Sequence, residues 1–262
     1  MKRVLDGVPA TTAVHRPGPR SWGVLLVSEL KMVARDTAGL IVPVVLPMLI
    51  LVMNASGAGG QAVAGGRTAL DVYVLPLVFT MVVAMTGIVN MPSFLAYYRR
   101  TGILRRLAVT PASPAMVLVA QVAVGVLQTA VGVAAAWLLA TLAFGARPPA
   151  DAGAALGVLV LTTAAMYAVG MVVAALAPTP NSAVAIGLVL FFALGALGGM
   201  FGGQDGLPDV LATAGEWLPF GAAAEALSLT WLGHPVEPAH LIGLGSTVLA
   251  CGGVAAVFFR WE

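Results

Sequence analysis

Charge is scarce in this chain. Asp, Glu, Lys and Arg make up 9% of its 262 residues, and aromatic residues 7%. Soluble domains carry about 25% charged residues, so a water-soluble globular protein is excluded. Cysteine occurs once, as Cys251 inside an apolar block. No intrachain disulfide and no multi-cysteine metal site can form. The only lysines are Lys2 and Lys31, and neither sits in a glycine-rich loop. There is no GxxxxGK[ST] run, so the chain has no P-loop with which to hydrolyse ATP by itself. HExxH, CxxC and GxSxG runs are missing too. His15, His234 and His240 are scattered, and two histidines without a carboxylate partner do not make a metal centre. Asp71, Glu216 and Glu225 fall near one surface, where solvated roles are expected. No ionisable residue lies in the middle of an apolar block, which argues against a proton-driven transporter. Catalytic site residues and metal ligands are therefore expected to be none, and no feature points to nucleic acid.

What is present is apolar, 60% of the chain, and it comes in long blocks. A membrane helix needs roughly 20 apolar residues to cross about 30 Å of hydrocarbon. Six such spans are read at about 38–53, 70–95, 113–143, 152–176, 183–203 and 239–259. The fold class is an all-α polytopic membrane protein. A β-barrel would show short alternating segments instead. Pro43 and Pro47 fall inside span one, where neighbouring groups must satisfy the carbonyls they free.

Lys and Arg are distributed unevenly. Lys2, Arg3, Arg16, Arg20, Lys31, Arg35, Arg99, Arg100, Arg105, Arg106 and Arg260 fall on one side, and only Arg67 and Arg147 on the other. The positive-inside rule makes the richer side cytoplasmic, with both termini there. The first twenty residues are basic and lack an apolar core, so they read as a cytoplasmic tail rather than a cleavable signal.

Residues 22–36 form an amphipathic segment, with Trp22, Leu26, Leu30 and Val33 on one face and Ser28, Lys31 and Arg35 on the opposite one. Such a helix lies in the membrane interface. Glu29 projects from the apolar arc. It either reaches up to lipid headgroups, or pairs with an arginine of the 99–106 segment or a partner. Residues 206–234 are broken by Pro208 and Pro219 and read as two short outer helices, about 208–217 and 220–232, with Trp217 and Trp231 at the interface. In span three, Gln121, Gly125, Gln128 and Gly132 fall within about 60° of one another on a helix. This stripe is either a packing seam or, with Asn90 of span two, a lining of a translocation path. GALGGMFGG at the end of span five marks a kink or a close contact.

The segment YYRRTGILRR, Tyr97 to Arg106, places four arginines between two apolar blocks. This is a short, charged loop suited to docking, although it equally serves as topogenic charge or an anionic-lipid contact. Three stretches resemble the type-2 family of ABC transporter permeases. SELKMVARDTAGLIVPVVLPMLIL is similar to the family's interfacial helix and span one. YYRRTGILRRLAVTPASP is similar to its loop after span two, and LPDVLATAGEWLPFGAAAEAL to its outer helix pair. The family's loop commonly carries an acid before its Arg-x-x-Gly-Thr-Leu run. Here Arg99, Arg100, Thr101, Gly102, Ile103 and Leu104 follow one another without one.

The resemblance covers about 22–260. It implies a tail (1–21) and one permease domain (22–262), with a second permease chain, homologous or identical, completing the path. It implies a separate ATP-binding subunit that brings ATP and Mg, and no cofactor in this chain. It assigns coupling to that subunit to Glu29, Arg99, Arg100, Thr101, Gly102, Leu104, Arg105 and Arg106. Export of a drug-like compound or a lipid fits a path without fixed charge. Polysaccharide or glycolipid export would call for more aromatic side chains. A non-transporting membrane assembly protein is the reading from another class. The Ala-, Gly-, Val- and Arg-rich composition points to the plasma membrane of a bacterium.

Overall fold

A computed structural model describes residues 18–103, 114–203 and 207–258. Among these residues, six helices are long and apolar enough to cross a membrane. The interfacial helix, Pro19–Arg35, precedes them. Span one lies in the helix Thr37–Ser56, span two runs over Leu70–Arg100, and span three lies in Pro114–Phe144. Spans four, five and six are Ala152–Leu176, Pro180–Leu197 and Pro238–Phe258. The two short helices before span six are Asp209–Trp217 and Pro219–Leu232.

Local chemistry sets these boundaries. Asp36 breaks the interfacial helix from span one, and its carboxylate accepts the Gly39 N–H at 3.1 Å as an N-cap. Asp151 caps span four in the same way through the Ala154 N–H. Span five opens on a reciprocal Thr179–Ser182 capping box with Pro180 in its first turn. It ends at Leu197, six residues before the expected 203. Gly199, Gly202 and Gly203 adopt positive φ there, so the glycine run is a turn and not the last stretch of a span.

Span two is the centre of the molecule. Its most apolar window is 89% buried, against 17% for spans one and six and 22% for span five. It winds as a π-helix over Met85–Asn90, directly ahead of Pro92. A proline lacks an N–H, so Pro92 leaves the Ile88 carbonyl without its helical donor. The wide turn pushes the Gly87 and Ile88 carbonyls against spans four and five. A Cβ at Gly170 would lie 1.9 Å from the Gly87 oxygen, and one at Gly187 would lie 2.5 Å from the Ile88 oxygen. Only glycine permits these approaches. The outer faces of the peripheral spans keep large apolar residues exposed, among them Leu49, Met53, Val189, Leu249 and Val257. A bilayer or a second chain would cover such faces.

Candidate coupling site

The arginine segment begins inside a helix. Span two extends to Arg100, so Tyr97, Tyr98, Arg99 and Arg100 form its last turn and not the loop proper. Thr101 and Gly102 end it. Their N–H groups bond the Tyr97 and Arg99 carbonyls, and Gly102 takes φ +68°, the left-handed conformation of a helix stop. The Thr101 hydroxyl donates to the Tyr97 carbonyl at 2.9 Å. Arg99 turns sideways and donates to the Ala177 carbonyl at the C-terminal end of span four, where a cation complements the helix dipole. Arg100 stays exposed. Leu104, Arg105 and Arg106 lie outside the described residues.

Glu29 is only 4% exposed, so it does not reach outward, and among the described residues its partners are a tyrosine and a glutamine rather than an arginine. The Tyr98 hydroxyl donates to its Oε2 at 2.5 Å, and the Gln121 side-chain amide donates to the same oxygen. Gln121 Nε2 also lies 3.3 Å from the Tyr98 hydroxyl, and Met32 Sδ lies 3.2 Å from it. One carboxylate thus joins the interfacial helix, the end of span two and the start of span three. The apolar contacts agree with this centre. Val33 packs on Phe94 and Val124, while Leu25 and Met32 pack on Tyr98 and Val117. The buried face of the interfacial helix therefore runs through Glu29 itself. Leu30, assigned to that face by periodicity, is 38% exposed. Burial pushes the Glu29 carboxyl above its ordinary range, and the two donors draw it part of the way back.

One turn deeper lies a second junction. Pro43 in span one has no N–H, which orphans the carbonyl four residues earlier, that of Gly39. The Asn90 amide donates to that carbonyl at 2.9 Å and the Gln128 amide at 2.7 Å. Asn90 also donates to Gln128 Oε1 at 2.9 Å. Spans one, two and three are thus tied through a single carbonyl. The rest of the span-three stripe is packed as well. A Cβ on Gly125 would lie 2.6 Å from the Tyr167 hydroxyl, and one on Gly132 would lie 2.7 Å from Val82 Cγ1. Between the two junctions remains a void of about 10 Å³, room for about one water. In this structure Asn90, Gln121 and Gln128 hold helices together.

Two residues at the opposite end also depart from expectation, and a third does not. Asp71 is 1% exposed rather than solvated, and it accepts from the Thr68 N–H and hydroxyl and from the Arg147 N–H. It clamps two loops. Trp231 is 2% exposed, with its indole N–H on the Arg147 carbonyl at 3.0 Å, so it is not an interfacial anchor. Trp217 is 51% exposed. The sequence reading missed Tyr98 and Gly39. A signal for each was present: a buried carboxylate needs donors, and a proline at position 43 names the carbonyl at 39.

Compared with known proteins, the chain matches the ABC-2 type transporter model over residues 20–231. No curated protein matches it. The chain belongs to the ABC-2 type transporter family. It is a multi-pass membrane protein and a permease component of an ABC transporter; the family is the transmembrane component rather than the ATPase, and implies an ATP-binding partner in general.

Proposed function

We propose that this chain is half of an exporter that moves a hydrophobic or amphipathic compound, drug-like or lipid, out of a bacterial cell. A separate ATP-binding subunit docks at the arginine end, which faces the cytoplasm with both termini. The Glu29–Tyr98–Gln121 junction carries this reading. It fixes the interfacial helix to the turn of span two from which the arginine loop departs, so a push on the loop reaches spans two and three as one body. Asn90 and Gln128 pass the displacement to span one through the Gly39 carbonyl. A junction of buried, hydrogen-bonded groups is stiff, because separating its members leaves buried polar atoms without partners.

The cargo class rests on the absence of ionisable residues from the middle of the spans. The uncovered apolar faces of spans one and five are where a second permease chain would close the path. Glu29 and Arg99 serve as positioning groups, one holding the interfacial helix and the other the end of span four. Arg100, with Arg105 and Arg106, offers positive charge to the partner. Arg105→Glu with Arg106→Glu, assembled with the ATPase subunit in proteoliposomes, should retain ATP hydrolysis and lose export. Undiminished export by this variant would remove the loop from the mechanism.

A further inference from the structure

At the end of the bundle opposite the arginine segment, an apolar slot of about 360 Å³ opens between spans two, three and four and the second short helix. Phe79, Val133, Trp137, Leu159, Leu227 and Trp231 form its inner wall. The rings are fixed by contact: Trp231 stands edge-on to Phe79 at 5.8 Å between centroids, and Trp137 lies 6.3 Å from Trp231. The mouth is lateral, framed by the exposed residues Ala130, Ala134 and Leu156. Along span three the slot begins at Ala130, fourteen positions before the helix ends at Phe144. That places its inner end about 21 Å below the helix end at 1.5 Å per residue, within the roughly 30 Å of a bilayer's hydrocarbon.

The top of the slot is different. Pro149 lines it, and the loop before Pro149 gathers Arg67 and Arg147. These are the two basic residues that stand apart from the arginine-rich side. Arg67 donates to the Pro148 carbonyl at 2.5 Å, and Arg147 to the Gly66 carbonyl at 3.0 Å. Both side-chain bonds go to neutral carbonyls. The nearby acids are already engaged: Asp71 is buried on Thr68 and the Arg147 N–H, and Asp151 caps span four. An apolar slot open at its side, with two arginines held in the loops next to the Pro149 that lines its end, matches a molecule with an alkyl chain below and a phosphate above.

We infer that this slot binds a membrane phospholipid of the adjoining leaflet, one acyl chain against Trp137 and Trp231 and its phosphate at Arg67 and Arg147. The site needs neither nucleotide nor partner ATPase, so its fate is independent of the exporter reading.

The test uses the full chain with Trp22, Trp217 and Trp261 changed to Phe, leaving the two slot indoles as reporters. It is reconstituted in vesicles of digalactosyldiacylglycerol, a bilayer lipid without phosphate, doped with a few per cent of either brominated phosphatidylcholine or brominated diacylglycerol, which has the same chains and no phosphate. The expected result is saturable quenching by the phospholipid, several-fold stronger than by the diacylglycerol. Ala134→Phe at the exposed mouth should abolish it. Arg67→Gln should lower it, and Arg67→Lys should restore most of it. Quenching that tracks mole fraction alike for both lipids, unchanged in Ala134→Phe, would mean annular contact only and would overturn the assignment. Absence of quenching by either lipid would mean that another chain covers the slot, with the same consequence.

Discussion

The hydroxyl of Tyr98 donates to the carboxylate of Glu29 across 69 positions of sequence, at 2.5 Å, in a site from which solvent is nearly excluded. This bond converts an amphipathic helix on the surface into a part of the transmembrane bundle. Losing it leaves a buried carboxylate one donor short, which costs about 1–3 kcal/mol. Tyr98→Phe should therefore lower the stability of the detergent-solubilised protein by that amount in denaturant titration. The interfacial helix should become the first segment to gain hydrogen exchange.

The pH dependence of the same junction has a definite sign. Glu29 titrates in the folded protein above its ordinary value of 4.5. The folded state therefore binds the proton more tightly, and the stability from this group is fully present below the unfolded value. It falls as pH rises through the folded one. Thermal unfolding between about pH 4 and pH 8 should show the wild type losing stability relative to Glu29→Gln as pH increases. A difference that grows in the opposite direction would contradict the burial of Glu29.

Much of this architecture was legible in sequence. Block length gave six spans, proline and glycine gave most helix ends, and the misfit of Glu29 on its apolar arc marked the junction. The partner of Glu29 was not legible, because a tyrosine next to four arginines gives no sign of facing inward. The end of span five was misplaced because Met200 and Phe201 carry the apolar block on past Leu197, while the positive φ of Gly199, Gly202 and Gly203 turns the chain there. The roles of Asn90 and Gln128 depended on a contact between three spans, which periodicity within one helix cannot reveal. The burial of Asp71 and Trp231 follows likewise from loops meeting across the bundle.

Pro43 and Asn90 should be energetically coupled. Pro43→Ala restores an N–H that can bond the Gly39 carbonyl within span one, so the amide of Asn90 becomes partly redundant. Asn90→Ala is expected to cost about 1 kcal/mol more in the wild type than in the Pro43→Ala background, in the range of hydrogen bonds between membrane helices. A double-mutant cycle on unfolding free energies measures it directly. Additive effects would detach Asn90 from the proline.

The close approach of span two to span four makes Gly170 intolerant of any side chain. Gly170→Ala places a methyl 1.9 Å from the Gly87 carbonyl, where only a shift of backbone gives relief. Overpacking of this kind costs about 1–3 kcal/mol or more, and the folded yield after solubilisation should collapse. Gly157→Ala on the same helix meets nothing within 4 Å and should express as the wild type does.

The central claim is that this permease is driven through its arginine end by a separate motor. The most direct measurement is to tag the chain, purify it in mild detergent from the cells that produce it, identify what copurifies by mass spectrometry, and assay the eluate for ATP hydrolysis. The account predicts a P-loop subunit in the eluate with nucleotide hydrolysis, and loss of that subunit when Arg100, Arg105 and Arg106 are all changed to Glu. Recovery of the chain without an ATPase and without hydrolysis would contradict it.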